Sequence, residues 1–207
     1  ALTVATAPDG ETRLHGLFTG EGRGCFEKAA ALSLEKNVTF VERPLQKVVA
    51  YLNEREFRTT WLGNKAVYRT RMAIADGGEL IVLAPGVQGF GEDTENDRLI
   101  RRYGYCGRER VIELCRTQDD LKANLSAAAH LIHGSADGKF TITYCTRDLE
   151  RPAVEGVGYR HLPYNAAIAW YDPARLRPGF NRLPDGEEIY FIPNPALGLW
   201  AQEGTNR

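Results

Sequence analysis

Two compact apolar runs organise the middle of the chain. Lys47-Val48-Val49-Ala50-Tyr51-Leu52 and Leu80-Ile81-Val82-Leu83-Ala84 lack polar alternation, as strands buried on both faces of a parallel sheet do. Between them, Asn53–Gly63 is polar and irregular. A helix is predicted from Asn64 or Lys65 to about Ala75, with Asp76-Gly77-Gly78 as its stop. Strand, loop, helix, Gly turn and strand make a βαβ unit, which should be right-handed and sit in a parallel sheet.

The flanking pattern extends this scheme. Leu2–Ala7 alternates and is rich in β-branched residues, Pro8-Asp9-Gly10 reads as a turn, and Leu14–Phe18 is the matching strand. Cys25–Lys36 is a predicted helix, and Val38–Val41 a short strand or connector broken off by Pro44. After the Gly-rich loop Gly86–Glu92, Thr94 is the expected N-cap of a helix to Tyr103, and Val111–Cys115 is another helical turn or two. Asp119 or Asp120 should cap a helix running Leu121–His133, with a turn at Asp137-Gly138 and a strand at Phe140–Thr146. Arg151–Val157 reads as a short helix with Pro152 in its first turn, and Glu188–Ile192 as a last strand. Strands alternating with helices predict an α/β fold: one domain over 1–207, a mainly parallel sheet with helices on both faces and a Rossmann-like βαβ core.

Composition narrows the class. With 207 residues, 43% hydrophobic and a net charge of −1, the chain is expected to fold around its own core without staples. The balance of 26 basic against 27 acidic residues argues against a dedicated nucleic-acid or anionic-membrane binder. No apolar run approaches the ~18 residues of a membrane span, and no signal peptide is visible at the start. The first residue is Ala, inside a predicted strand, the pattern of a piece of a longer protein. Cys25, Cys106, Cys115 and Cys145 form no CxxC pair, so reduced, mostly buried thiols in a cytoplasmic protein are expected.

Ligands of an open α/β sheet lie beyond the carboxyl ends of its strands. Asn53–Asn64 and Pro85–Asp93 leave adjacent strands there, so they should face each other. The first brings Arg58, Thr59, Thr60, Trp61, Asn64 and Lys65; the second brings Gly86, Gln88, Gly89 and Gly91. Leu62, Lys65, Arg69 and Met72 fall on roughly one face of the predicted helix. A helix N-terminus plus a Lys suits a carboxylate, although a solvated Lys and a surface-paired Arg fit the same spacing. His130-x-x-His133 reads as helix-end histidines, because no third metal ligand is near and the dipole favours a His there. Gly86-x-x-Gly89-x-Gly91 is not a dinucleotide fingerprint. Asp119-Asp120 reads as a cap, and the Arg98–Arg110 cluster, interleaved with acids, as a solvated face.

One long segment carries a resemblance. Thr60-Trp61-Leu62-Gly63-Asn64-Lys65-Ala66-Val67-Tyr68-Arg69-Thr70-Arg71, continuing through Ala75-Asp76-Gly77-Gly78-Glu79-Leu80-Ile81-Val82-Leu83-Ala84-Pro85-Gly86, resembles the C-terminal domain of the nickel-pincer-dependent lactate racemase family. Gly89–Asp93, Asp97–Tyr105 and Asn124–His130 fit the same pattern. The resemblance implies a racemase or epimerase of a small 2-hydroxy acid. Its nickel-pincer nucleotide would be held mainly by an N-terminal catalytic domain that this chain lacks, so the chain should be inactive alone. By the same resemblance the family's C-terminal Lys falls on Lys65, the catalytic candidate, while the family's Tyr and Gln positions fall on Trp61 and Leu62. The lost amide points away from lactate, and Thr60, Trp61, Asn64 and Arg69 are the substrate-binding candidates for a polyhydroxylated acid such as gluconate or mannonate. The competing reading is a stand-alone carboxylate-binding or docking module without catalysis.

Overall fold

The computed structural model describes residues 1–7 and 11–204. β1 (Leu2–Thr6) and β2 (Arg13–Phe18) pair antiparallel as the alternation predicts; the expected turn at Pro8-Asp9-Gly10 lies outside the described residues. α1 (Arg23–Asn37) packs on this hairpin and fully buries only Ala29. β3 (Val38–Val41) then leads to the main sheet.

That sheet starts with β4 (Leu45–Tyr51). Two single-turn helices, α2 (Thr60–Gly63) and α3 (Lys65–Tyr68), carry the chain to β5 (Ile74–Ala84). Four helices follow: α4 (Thr94–Tyr103), α5 (Arg108–Thr117), α6 (Asp119–Ala123) and α7 (Leu125–His133). β6 (Thr141–Thr146), α8 (Arg151–Gly156), β7 (Arg160–Pro163) and α9 (Tyr164–Ala167) come next. β8 (Gly179–Arg182), β9 (Glu188–Ile192), a 3-10 turn at Pro195–Leu197 and β10 (Leu199–Gln202) end the chain.

The six-stranded order is β7-β6-β5-β4-β9-β8, parallel except for the edge strand β8. The fold is therefore the expected α/β arrangement. Alternation splits the core: Val48, Ala50, Leu52, Leu80, Val82, Ala84, Ile142 and Tyr144 face one side with α3–α8. Val49, Ile81, Leu83 and Cys145 face the other. Among the described residues, that second side is covered only by α9 and the irregular segment up to Leu183, so helices lie on both faces but unequally.

Several boundaries depart from the pattern. The helix predicted to Ala75 ends at Tyr68. Buried Thr70 turns its hydroxyl back to the Ala66 carbonyl at 2.6 Å, and Met72 bridges to Ala201. Gly77-Gly78 does not stop a helix; it lies inside β5, beside a register shift in the β4–β5 pairing. The helix Leu121–His133 is broken at Asn124, whose side chain accepts from the Ala127 N–H at 3.0 Å and starts α7 afresh. Asp119 and Asp120 are the first residues of α6, preceded by Gln118. Asp93, not Thr94, caps α4 by accepting from the Asn96 N–H. The short β7, β8 and β10, the last returning to pair in parallel with β3, lacked a usable hydrophobic period. All four cysteines are free, but only Cys145 is buried; Cys106 is exposed and the other two half-buried.

Asn124 also donates to Asn96 Oδ1 at 3.0 Å, tying the α6–α7 break to α4. Asn124→Ala should therefore lose about 1 kcal/mol, the usual cost of a lost cap. Urea unfolding measures it, and an unchanged midpoint would mean that the break is held by other contacts.

Candidate functional site

The exits of β4 and β5 meet as predicted, and backbone hydrogen bonds join them. The Gln88 N–H donates to the Arg58 carbonyl (2.9 Å), that of Thr60 to Gly89 (3.1 Å), and that of Trp61 to Phe90 (2.8 Å). Gly86 is required by close approach: a Cβ there would stand 2.5 Å from the Glu54 carbonyl oxygen. Asp97 clamps the second loop from α4, accepting from the Phe90 and Gly91 N–H groups at 2.8 and 3.2 Å. Burial opposes the charge on Asp97, but the Arg101 guanidinium at 2.5 Å and those two N–H groups outweigh it and hold the carboxyl below its ordinary value.

Beneath the joined loops lies a buried polar and aromatic stack. Asn64 is wholly buried, and its Oδ1 accepts from the Tyr144 hydroxyl (2.7 Å) and the Tyr159 hydroxyl (3.1 Å). The Tyr144 and Tyr159 rings stack at 4.9 Å, and those of Tyr159 and Tyr105 at 4.6 Å. The Tyr105 hydroxyl meets Thr60 Oγ1 at 2.8 Å and His130 Nε2 at 2.9 Å, and Trp61 stacks on His130 at 4.4 Å. Burial, with a smaller contribution from His133, pushes His130 down to about 4, so its imidazole is neutral near pH 7.

The structure sorts the sequence candidates into distinct places. Lys65 is half-buried beyond the stack, with its Nζ 5.9 Å from the centre of the Phe57 ring and no ion pair among the described residues. Trp61, also half-buried, lies four residues earlier, with its ring on His130. Thr60 and Asn64 are buried within the hydrogen-bond network. Arg69 donates to the Ala196 and Gly198 carbonyls at 3.0 and 3.1 Å, clamping the C-terminal segment to α3. The shared helical face proposed for Lys65, Arg69 and Met72 does not exist, because α3 is a single turn. A helix that short supplies little dipole, so the expected helix-end anion site is not formed at α3.

Other residues of this edge gave no motif. Glu54 pairs with Arg147 at 2.7 Å, Arg58 donates to Gln88 at 3.2 Å, Thr59 to Glu92 at 2.5 Å and Asn194 to Glu56 at 3.2 Å. Arg147 and Asn194 reach the site from β6 and β9, far along the chain, where local spacing carries no signal. The Tyr144 position was more legible, as an aromatic inside a β-branched strand that faces the covered side.

His130 belongs to the buried stack and His133 lies tilted against Tyr68 at 5.7 Å. Among the described residues, no three His, Cys, Asp or Glu side chains converge where a metal ion could be held. Of the Arg98–Arg110 cluster, Arg98, Arg101, Arg102 and Arg110 pair with Glu95, Asp97, Asp120 and Glu113, a charged surface as expected. No helix is long and apolar enough to cross a membrane among these residues.

No protein-family model matches the chain, and no curated protein matches it. Solved structures do. A structural-genomics crystal structure of a Thermotoga maritima protein is similar over 97% of this chain and 48% of that one, with a TM-score of 0.70 and 21% identity. The lactate racemase apoprotein from Thermoanaerobacterium thermosaccharolyticum is similar over 85% of this chain and 40% of that one, with a TM-score of 0.57 and 12% identity. The fold is shared with part of a lactate racemase. The chain spans less than half the length of either protein, and at these identities the likeness is one of fold.

The neutral His130 has a consequence for stability. Its pKa is depressed in the folded state from an ordinary value near 6.5 to about 4. The stability it contributes is complete above the unfolded value and is lost as pH falls from about 6.5 towards 4, by at most ~1.4 kcal/mol per pH unit. Urea midpoints between pH 4 and 7 should fall more steeply for the native chain than for His130→Gln. Parallel curves for the two proteins would remove His130 from the pH dependence.

Proposed function

We propose that the chain is the substrate-closing part of a 2-hydroxy-acid racemase or epimerase, working with an N-terminal catalytic domain in the cytoplasm. The observation that carries this reading is Lys65, without an ion pair among the described residues, at the carboxyl edge of a sheet whose fold is shared with part of a lactate racemase. In it, the Lys65 ammonium pairs with the substrate carboxylate, and Trp61 forms an apolar wall beside it. The nickel-pincer nucleotide belongs to the N-terminal domain, where it supplies hydride acceptance and return when bound. This chain binds, orients and shields the acid from water.

The preferred substrate is a sugar acid of the gluconate or mannonate type. Thr60 and Asn64 are committed to the buried network, so recognition of the additional hydroxyls falls to Arg58 and Gln88 on the facing loops. Leu62 stands where the family resemblance places an amide, and an apolar side chain there removes one polar contact to a small acid.

The complete protein decides between these substrates. Turnover of gluconate or mannonate should exceed that of lactate, and Lys65→Ala should lower kcat/KM by about 10- to 100-fold, as expected for ~1.5–3 kcal/mol from a charged hydrogen bond. An unchanged rate in the variant would take Lys65 out of the site. The 207-residue chain alone, supplied with the nickel cofactor, should racemise no 2-hydroxy acid, and measured turnover by it would overturn the division of labour.

A further inference from the structure

The thinly covered side of the sheet holds a concavity that the racemase reading does not use. A cavity of about 440 Å³ lies among Trp170, Arg175, Leu176, Arg182, Leu183 and Pro184, within the size range of small-molecule sites. Leu176 and Leu183 belong to the second core cluster, whereas the neighbours of Lys65, Ala66 and Val67, belong to the first. The two places are therefore on opposite faces of the sheet.

Three features of this cavity point to one ligand chemistry. Trp170 follows α9 in a tight turn, with its N–H on the Ala167 carbonyl at 3.1 Å, yet its side chain is 58% exposed. An indole left open at a cavity wall offers a flat surface for stacking. Arg175 and Arg182 both line the cavity, and neither guanidinium has an ion pair or hydrogen bond to the described residues. Two free planar forks can grip one carboxylate or phosphate.

The walls are set before any ligand arrives. Asn181 accepts from the Arg177 N–H (3.0 Å) and donates to the Arg177 and Gly179 carbonyls (2.7 and 2.8 Å). Asp172, the acid in the lining, accepts from the Ala174 N–H at 3.0 Å, and its carbonyl takes the N–H groups of Arg175 and Leu176. Its charge offsets one of the two cations, leaving the lining net positive.

We propose that this cavity binds a small aromatic oxyanion, with its ring against Trp170 and its carboxylate or phosphate shared by Arg175 and Arg182. The site is independent of the reaction proposed above. Calorimetric titration of the chain tests it with four probes: AMP, phenylpyruvate, adenosine (the ring without the anion) and ribose 5-phosphate (the anion without the ring). AMP or phenylpyruvate should bind saturably, and whichever is tighter tells phosphate from carboxylate. Adenosine and ribose 5-phosphate should bind at least about tenfold more weakly than that probe. Arg175→Gln, Arg182→Gln and Trp170→Leu, all with unchanged circular dichroism, should each weaken it about tenfold, the scale of one lost charge-assisted or stacking contact. The proposal fails if neither aromatic anion saturates at millimolar concentration. It fails equally if ribose 5-phosphate binds as well as the aromatic probes, or if the Arg175→Gln, Arg182→Gln double variant binds like the native chain.

Discussion

The wholly buried side chain of Asn64 holds the candidate site to the sheet. Its carboxamide oxygen collects two tyrosine hydroxyls, Tyr144 from β6 and Tyr159 from the approach to β7. A carbonyl oxygen taken out of water needs such partners, since leaving it unmet costs ~1–3 kcal/mol; the Asn64 Nδ2 beside it has none among the described residues. The requirement fixes where the α2–α3 crossover can lie. The fit is close: a Cβ at Gly134 would stand 2.4 Å from Asn64 Nδ2. Lys65 is the next residue, so its position follows from a contact made underneath it. Thr60, four residues earlier, is fixed in the same way through Tyr105 and the Phe90 carbonyl.

The strongest signals in the sequence were those of the parallel sheet. The two apolar runs are β4 and the heart of β5, side by side and parallel with their exits joined, because a strand buried on both faces leaves an unmistakable composition. Boundaries failed where one short apolar run suits two periods. Met72-Ala73-Ile74-Ala75 continues a helical pattern from Lys65 equally well, yet Met72 bridges to Ala201 of β10 and Ile74-Ala75 open β5, after Thr70 has bent the chain. The break at Asn124 was missed for a related reason. An Asn in a helical pattern competes for the backbone with its own side chain, and tertiary contact with Asn96 decides the competition.

The candidate site was legible as a location more than as a set of roles. Loop placement at the carboxyl edge came from topology alone. Roles depend on burial and on partners distant in the chain, and these divided five neighbouring candidates into three kinds. Lys65 and Trp61 are half-buried, Thr60 and Asn64 are internal supports, and Arg69 is a clamp on the Ala196–Gly198 carbonyls. A polar residue next to a predicted site is as readily the frame of that site as part of its lining.

The division also determines how an anion would be attracted. With a net charge of −1 and α3 only a single turn, the field around Lys65 is set mainly by a few side chains. Arg147 is neutralised by Glu54 at 2.7 Å, and Arg58 is held by Gln88. Arg55 carries no ion pair but is exposed, where water screens it. Glu56 and Glu92 add negative charge with only neutral hydrogen-bond donors as partners. Lys65 combines partial burial with a charge that has no ion pair among the described residues, and the Phe57 ring near its Nζ adds to its low-dielectric surroundings. In the proposed reading, a substrate carboxylate would gain more at Lys65 than at the other cations of the rim, and covering the site would strengthen the pairing by excluding water.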